Sequence, residues 1–146
     1  MHRFQNLGSD YARSITDVVM GLLAFQFLTG MGLNLFVAFT ERHPSGLSDA
    51  FGAMATGALS AVHLTVGFAL PILSVVVMAI LLDSGETRLS VFAAIGLASV
   101  AMAGISGMEF AYSGFDEDVY SYLMAVGFAA AFLSYSALLA SHDTKS

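Results

Sequence analysis

Four long apolar segments, separated by short polar ones, dominate the pattern of this chain. The longest, residues 50–82, carries no Asp, Glu, Lys or Arg and contains one histidine, His63. A helix of about 20 apolar residues crosses the ~30 Å hydrocarbon core of a bilayer. The pattern therefore predicts four membrane-spanning helices. They cover about residues 18–40, 61–82, 89–108 and 119–140.

The polar segments predict the connections between these spans. Residues 41–46 and 83–88 combine charges with Pro or Gly and are typical of turns. Residues 1–17 predict a short extramembrane arm or an interfacial helix, and residues 50–60 a helical extension or a loop over the membrane surface. Pro71 lies inside span two, where it removes a backbone donor and predicts a kink. Short connections make successive spans antiparallel.

Composition supports the same fold. The chain is 57% hydrophobic and 11% charged, with a mean hydropathy of +0.78, whereas globular domains average about 25% charged residues. We expect an all-α integral membrane protein, an antiparallel bundle of four transmembrane helices in one domain over residues 1–146. A net charge of −6 with scattered basic residues argues against nucleic acid as a partner. The lack of cysteine excludes disulfides and thiolate metal sites.

The distribution of Lys and Arg predicts the orientation, because cytoplasmic segments retain these residues. With both termini in the cytoplasm, four of the five basic residues lie inside and only Arg42 lies outside. The acidic segment 109–118 then faces outward. The Ala-rich, Lys-poor and acidic composition suits a microbe, so we expect a multi-pass protein in the plasma membrane of a prokaryote.

Small and polar residues predict how the spans pack, because membrane helices associate through small side chains and interhelical hydrogen bonds. Gln26 is expected near the bilayer midplane, where it would form a packing hydrogen bond with another helix. Two helix faces carry small residues at four-residue spacing. These are Ser99, Ala103 and Gly107 on span three, and Gly127 with Ala131 and Ala130 with Ser134 on span four.

One group of residues suggests a cofactor site at the outer boundary. His63 lies 20 residues from Asp83 and Met108 lies 20 residues from Arg88, which places both at the same depth on adjacent helices, with Asn34 in the same leaflet. A b-type haem takes two axial ligands. His63 with Met108 or His63 with His43 would supply them.

Other interpretations of the same residues remain open. Arg42 could pair with a haem propionate. Imidazole and carboxylate also suit divalent metals, and the metal set would be His43, His63, Glu41 and Glu109. Without any ligand, His63 is an interfacial or packing residue and Met108 is an apolar filler.

Two stretches carry a resemblance to known proteins. FQFLTGMGLNLF in span one and HLTVGFALPILSVVVMAILL in span two resemble small, uncharacterised prokaryotic four-span membrane proteins. Some of those look like haem-binding bundles of the cytochrome b type, with histidines on spans two and four. The resemblance implies a four-span fold and a haem at His63, while span four of this chain has no histidine.

These observations leave three classes of function. The first is a protein that acts by helix–helix contact, as an accessory or assembly subunit or as a homo-oligomer. The second is a carrier of electrons through haem b or quinone, with its site around His63. The third is a small channel or carrier. The chain contains no HExxH, GxSxG or glycine-rich phosphate motif, so the sequence gives no indication of an enzyme.

Overall fold

The computed structural model describes residues 2–37, 44–55 and 57–143. This part of the chain is predominantly helical. In chain order they are α1 (His2–Phe36), α2 (Leu47–Met54), α3 (Ala58–Asp83), α4 (Thr87–Tyr112) and α5 (Asp118–Asp143).

Four of these helices are long and apolar enough to cross a membrane. The segments are Asp10–Phe36, Ala58–Asp83, Thr87–Tyr112 and Asp118–His142. Only 22% to 39% of the residues in their most apolar stretches are buried inside the bundle. The remaining apolar side chains face outward, an arrangement that is favourable in lipid and costly in water. The prediction of an all-helical chain with four helices long and apolar enough to span a membrane is thereby confirmed.

The four long helices form a closed ring. α1 packs against α3, α3 against α4, α4 against α5, and α5 back against α1. α1 and α3 are antiparallel, because Gly8 lies beside Ser84 at one end of the pair and Gly30 beside His63 at the other. The short helix α2 contacts α3 and α4. We call the end of the bundle that carries α2 the α2 end.

Two tight turns reverse the chain between α3 and α4 and between α4 and α5. Gly85 has a φ of 73°, and the amide of Glu86 donates to the carbonyl of Leu81 at 3.3 Å. A left-handed glycine of this kind is the usual C-terminal cap of a helix. The second turn places Gly114 and Phe115 at φ 75° and 66°.

The helix boundaries differ from the predicted spans. α1 begins at His2, so the expected N-terminal arm is helical and continuous with span one. Residues 47–54 form the separate helix α2, and α3 begins at Ala58 and continues through Pro71. Helices continue past the lipid boundary wherever backbone hydrogen bonding is favourable. Hydropathy therefore locates the membrane-spanning segments more accurately than it locates the ends of the helices. The predicted end of span one, Thr40, lies outside the described residues.

The contact between α4 and α5 uses the predicted small residues. A Cβ atom at Gly127 would lie 2.9 Å from the carbonyl oxygen of Ser99 and 3.0 Å from Cβ of Ala103. The hydroxyl of Ser134 donates to the carbonyl of Phe92 across this interface at 2.7 Å. These contacts confirm that small residues bring the two backbones together, as expected in lipid.

The centre of the bundle is built around Tyr135, which is fully buried. Its ring lies against Gly96, where a Cβ atom would approach Cζ to 2.6 Å. Because any larger side chain at Gly96 would occupy the space of the ring, this pair fixes the spacing of α4 and α5. The surrounding core is aliphatic. It includes Leu23, Leu70, Val77, Leu81, Leu89, Ala93, Ala131 and Leu138.

Candidate functional site

A polar cluster lies between α1 and α3 in the half of the bundle nearer the α2 end. Nε2 of His63 is 3.0 Å from Nε2 of Gln26. Nδ1 of the same ring is 2.9 Å from Oγ1 of Thr29. Both nitrogens of the imidazole are therefore within hydrogen-bond distance of side chains on α1. We call Gln26, Thr29 and His63 the α1–α3 polar cluster.

The donors and acceptors in this cluster can be assigned from its chemistry. An amide nitrogen only donates, so Gln26 Nε2 donates and His63 Nε2 accepts. A neutral imidazole that accepts at Nε2 carries its proton on Nδ1, and that N–H donates to Thr29 Oγ1. The Thr29 hydroxyl in turn donates to the carbonyls of Phe25, at 3.0 Å, and of Gln26, at 3.1 Å. The result is one directed chain of hydrogen bonds from α1 through the ring and back to α1.

Two glycines make the close approach of these side chains possible. A Cβ atom at Gly30 would lie 3.1 Å from Cε1 of His63, and one at Gly67 would lie 3.2 Å from Nε2 of Gln26. Each of the two helices thus contributes a polar side chain and, four residues later, a glycine. The polar side chain of the other helix lies over this glycine. On antiparallel helices this arrangement is reciprocal, so His63 packs over α1 while Gln26 packs over α3.

One atom of the cluster has no partner. Oε1 of Gln26 is buried, and no hydrogen bond reaches it from the described part of the chain. A buried polar atom of this kind costs roughly 1–3 kcal/mol relative to a hydrogen-bonded one. The amide therefore has unused hydrogen-bonding capacity beside the imidazole.

The structure bears on the sequence expectations for these residues. The interhelical hydrogen bond expected of Gln26 is confirmed, and its partner is His63. The sequence had placed Gln26 near the midplane and His63 at the membrane boundary, but the two side chains are in contact. The difference arises because the depth of Gln26 was counted from Asp17, whereas Gly8 is the α1 residue that lies beside Ser84 at the end of α3. From that level Gln26 is 18 residues away and His63 is 21 residues away.

The haem ligands proposed from sequence are distributed over different elements. His63 directs both ring nitrogens to α1, whereas Met108 is half-buried on α4. Iron ligation through Nε2 would displace the Gln26 amide, and ligation through Nδ1 would displace Thr29. His43 and Arg42 lie outside the described residues. The haem assignment stays a prediction.

Only two of the four residues predicted as metal ligands lie in the described part of the chain. His63 lies on α3 and Glu109 is exposed on α4, while Glu41 and His43 fall outside the described residues. Residues 2–37, 44–55 and 57–143 contain no group of three or more His, Asp or Glu side chains placed to hold a metal ion. The other polar residue expected at this depth, Asn34, is exposed on α1.

Thr29, which belongs to the cluster, and Gly30 and Gly67, which lie against it, were not identified from the sequence. The available signal was a polar residue followed four positions later by glycine on both helices, as Gln26-x-x-x-Gly30 and His63-x-x-x-Gly67. Four-residue spacing places both members on one helix face.

A second feature lies on the outward-facing side of α3 and α4. A groove of about 280 Å³ opens between these helices at the end of the bundle opposite α2. It is lined by Met78, Leu82, Gly85, Thr87, Ser90, Val91 and Ala94. Along α4 the groove continues into the exposed residues Ala98, Ala101 and Gly104, and Gly104 has no neighbouring atom within 4 Å of where its Cβ would stand. We call these three residues the α4 ridge.

Comparison of the chain with protein-family models, curated proteins and solved structures found no match.

Proposed function

We propose that this chain is a small polytopic membrane protein that acts by helix–helix contact with another membrane-embedded chain. It would serve as an accessory or assembly subunit of a larger complex, or as a homo-oligomer. The observation that carries this proposal is the lipid-facing surface of α4, where the groove beside α3 continues into the α4 ridge.

The α4 ridge suits a helix better than it suits lipid. Lipid tails are as apolar as any side chain, so helices associate in membranes where small residues let their backbones approach. Ala98, Ala101 and Gly104 follow one another at three-residue spacing and form one row on the helix surface. Bulky residues, which fill lipid contacts well, cover the outward face of α3, where Ile72 is 64% exposed, and on α4 they also adjoin the row, where Ile105 is 56% exposed.

The use of the polar side chains supports the same proposal. In the α1–α3 polar cluster, hydrogen bonds of the imidazole and the threonine remain within the chain. Buried serines mostly donate to carbonyls of their own helices, as Ser74 does to Leu70 and Ser99 does to Ile95. Polar groups that are satisfied internally stabilise a bundle and do not require a ligand.

Orientation and location complete the proposal. We place the protein in the plasma membrane of a prokaryote with both termini in the cytoplasm. The α2 end would then face outward, and the groove would lie near the cytoplasmic surface. Haem or quinone electron transfer and small-molecule transport stay predictions from the sequence.

The proposal is tested by enlarging the α4 ridge. The double variant Ala98→Leu/Ala101→Leu and the wild type are extracted from native membranes in mild detergent, and co-purifying chains and particle mass are measured. We expect the wild type to elute with a partner or as an oligomer. The double variant should retain at least tenfold less partner, which corresponds to about 1.4 kcal/mol of binding free energy.

Ala24→Leu provides the matched control. Ala24 is exposed on α1, which does not contact α4 and is diagonally opposite it in the ring. The same substitution there should leave partner recovery unchanged. A monomeric wild type without co-purifying chains would refute the proposal, as would equal loss of partner in Ala24→Leu. Recovery of only this chain, at twice its mass or more, would assign the contact to a homo-oligomer.

A further inference from the structure

The outward face of α1 is polar in the N-terminal part of the helix. Asp10, Arg13, Ser14 and Asp17 are all exposed there. Their three- and four-residue spacing places them on one face of the helix, and the hydroxyl of Ser14 donates to the backbone carbonyl of Asp10 at 3.1 Å. We call these four residues the α1 stripe. Among the described residues, no ion pair holds either of the two carboxylates.

The α1 stripe extends far along the side of the bundle. Gly8 lies beside Ser84, just past the end of α3, and Asp17 is nine residues further along α1. From the rise of an α-helix, Asp17 is about 13 Å from the level of Ser84, toward the middle of the bundle. Because α1 and α3 are antiparallel, the same number of residues along α3 leads from Ser84 back to Val75. Asp17 and Val75 are therefore at about the same depth.

At this depth the other three long helices are apolar on their outward faces. Val75 on α3 is exposed, as are Ile95 on α4 and Leu133 on α5. The tight turn between α3 and α4 sets the level of Ile95, and the hydrogen bond from Ser134 to Phe92 sets that of Leu133. The bundle thus presents apolar side chains on three helices and charged ones on the fourth. Charged side chains against hydrocarbon are costly, so the α1 stripe requires a polar neighbour.

We propose that the α1 stripe binds the headgroup of a phospholipid with a primary ammonium, such as phosphatidylethanolamine. The phosphate lies on the guanidinium of Arg13, and the ammonium lies on the carboxylates of Asp10 and Asp17. A guanidinium has five N–H donors, so Arg13 binds the phosphate in addition to the contact that it makes within the chain. A tilt of the bundle or local thinning of the leaflet brings headgroups to this depth. This inference is independent of the helix contact proposed for α4.

Charge complementarity favours this headgroup over other lipids. In the α1 stripe a base lies between two acids, three residues after Asp10 and four before Asp17. A zwitterionic headgroup offers a negative and a positive group a short distance apart. The primary ammonium carries N–H donors for the carboxylates, whereas the trimethylated ammonium of phosphatidylcholine carries none. An anionic headgroup without an ammonium would leave both carboxylates unmatched.

A second copy of the chain fits the α1 stripe less well. Two copies inserted in the same direction form a two-fold pair, in which each residue lies at the same depth as its counterpart. The Asp17 side chains of the two copies would then face each other, and so would the two Arg13 side chains. Like charges that face each other across an interface are costly. A headgroup that carries both signs of charge therefore suits the stripe better.

Cysteine labelling tests whether headgroups and water reach the α1 stripe. The chain has no cysteine, so Ser14→Cys and Val76→Cys each introduce one thiol, at exposed positions of similar depth on α1 and α3. Each variant is reconstituted in bilayers of phosphatidylethanolamine and phosphatidylcholine, and a membrane-impermeant maleimide is added to both faces. We expect Ser14→Cys to react about tenfold faster, because Val76→Cys lies in hydrocarbon. Equal rates would overturn the proposal. So would a Ser14→Cys that does not react, since another protein chain or lipid tails would then cover the stripe.

The retained lipid tests the choice of headgroup. The full chain is reconstituted with equal amounts of phosphatidylethanolamine, phosphatidylcholine and phosphatidylglycerol, extracted in mild detergent and analysed by mass spectrometry. We expect phosphatidylethanolamine to be enriched about threefold over each of the others, through its charge-assisted hydrogen bonds. Asp10→Asn/Asp17→Asn should abolish the enrichment. Asp116→Asn/Glu117→Gln, which removes two exposed charges at the α2 end, should retain it. Equal retention of the three lipids by the wild type, or enrichment of phosphatidylglycerol, would overturn the proposal.

Discussion

At the scale of single residues, the contact between α1 and α3 depends on which positions lack a side chain. Gly30 and Gly67 leave room for His63 and Gln26, and each glycine lies four positions after the polar residue of its own helix. Neither glycine adopts a conformation that requires glycine. Their role is therefore steric, and adding a single methyl group to either one tests it.

Gly30→Ala should destabilise the protein. Its Cβ would lie 3.1 Å from Cε1 of His63, so the ring must move and its hydrogen bonds to Gln26 and Thr29 would lengthen. We expect a loss of about 1–3 kcal/mol in the free energy of unfolding, measured by circular dichroism in detergent. Gly21→Ala is the matched control on the same helix, because nothing lies within 4 Å of its Cβ position. It should stabilise by about 0.5–1 kcal/mol through helix propensity. Equal effects from the two substitutions would contradict the packing described here.

Removing the hydroxyl group should have opposite effects on stability at Tyr135 and at Ser134, which are adjacent on α5. The Tyr135 hydroxyl lies beside Ser74, but no hydrogen bond of good geometry reaches it in the described residues, and Ser74 donates to Leu70 instead. Tyr135→Phe should leave stability unchanged or raise it by up to about 1 kcal/mol, because an unpaired buried hydroxyl is removed. Ser134→Ala removes the bond to Phe92 and should cost about 0.6–1.7 kcal/mol. Thermal unfolding of both variants in one detergent distinguishes them, and destabilisation by Tyr135→Phe would show that its hydroxyl is paired.

At the scale of helices, the sequence predicts elements and small-residue faces better than it predicts partners. The stripe of Ser99 and Ala103 and its counterpart at Gly127 were visible as spacing, and they do meet. The pairing of Gln26 with His63 was not predicted, because it depends on the rotation of each helix about its axis and on which helices are neighbours. Depth counted from the ends of hydrophobic segments fixes neither quantity. It also depends on the reference residue chosen for each helix, and on α1 the level of Ser84 is that of Gly8 rather than Asp17.

Gly127→Ala should separate α4 from α5. Its Cβ would meet the backbone carbonyl of Ser99 at 2.9 Å, and backbone atoms of a packed helix cannot rotate away as a flexible side chain does. We expect a loss of about 1–3 kcal/mol, together with weakening of the neighbouring bond from Ser134 to Phe92. Unfolding in detergent and hydrogen exchange at the α4–α5 interface measure the two effects. Gly21→Ala, at an open position of α1 outside the α4 ridge, is the control and should be neutral or slightly stabilising. A tolerated Gly127→Ala would mean that the two helices are further apart than described.

At the scale of the whole molecule, the ring of four antiparallel helices leaves two different surfaces. The inside is filled by aliphatic side chains around Tyr135. The outside carries apolar side chains of every size, with the small residues of the α4 ridge beside a groove. In lipid, the apolar outer surface of such a bundle is already in a favourable environment. A partner helix therefore binds only where it packs against the bundle more closely than lipid does. Small residues supply that advantage, and so we assign contact to α4 rather than to α3.

The number and direction of the spans can be tested with single cysteines, because the chain has none of its own. Asp116 is exposed in the turn between α4 and α5, and Thr87 is exposed at the start of α4. If α4 crosses the membrane and both termini are cytoplasmic, a membrane-impermeant maleimide should label Asp116→Cys on intact cells. It should label Thr87→Cys only after the membrane is permeabilised. The reverse pattern would invert the orientation inferred from Lys and Arg while keeping the four spans. Labelling of both positions from the same side would mean that α4 does not cross the bilayer, and the proposed helix docking in lipid would fail with it.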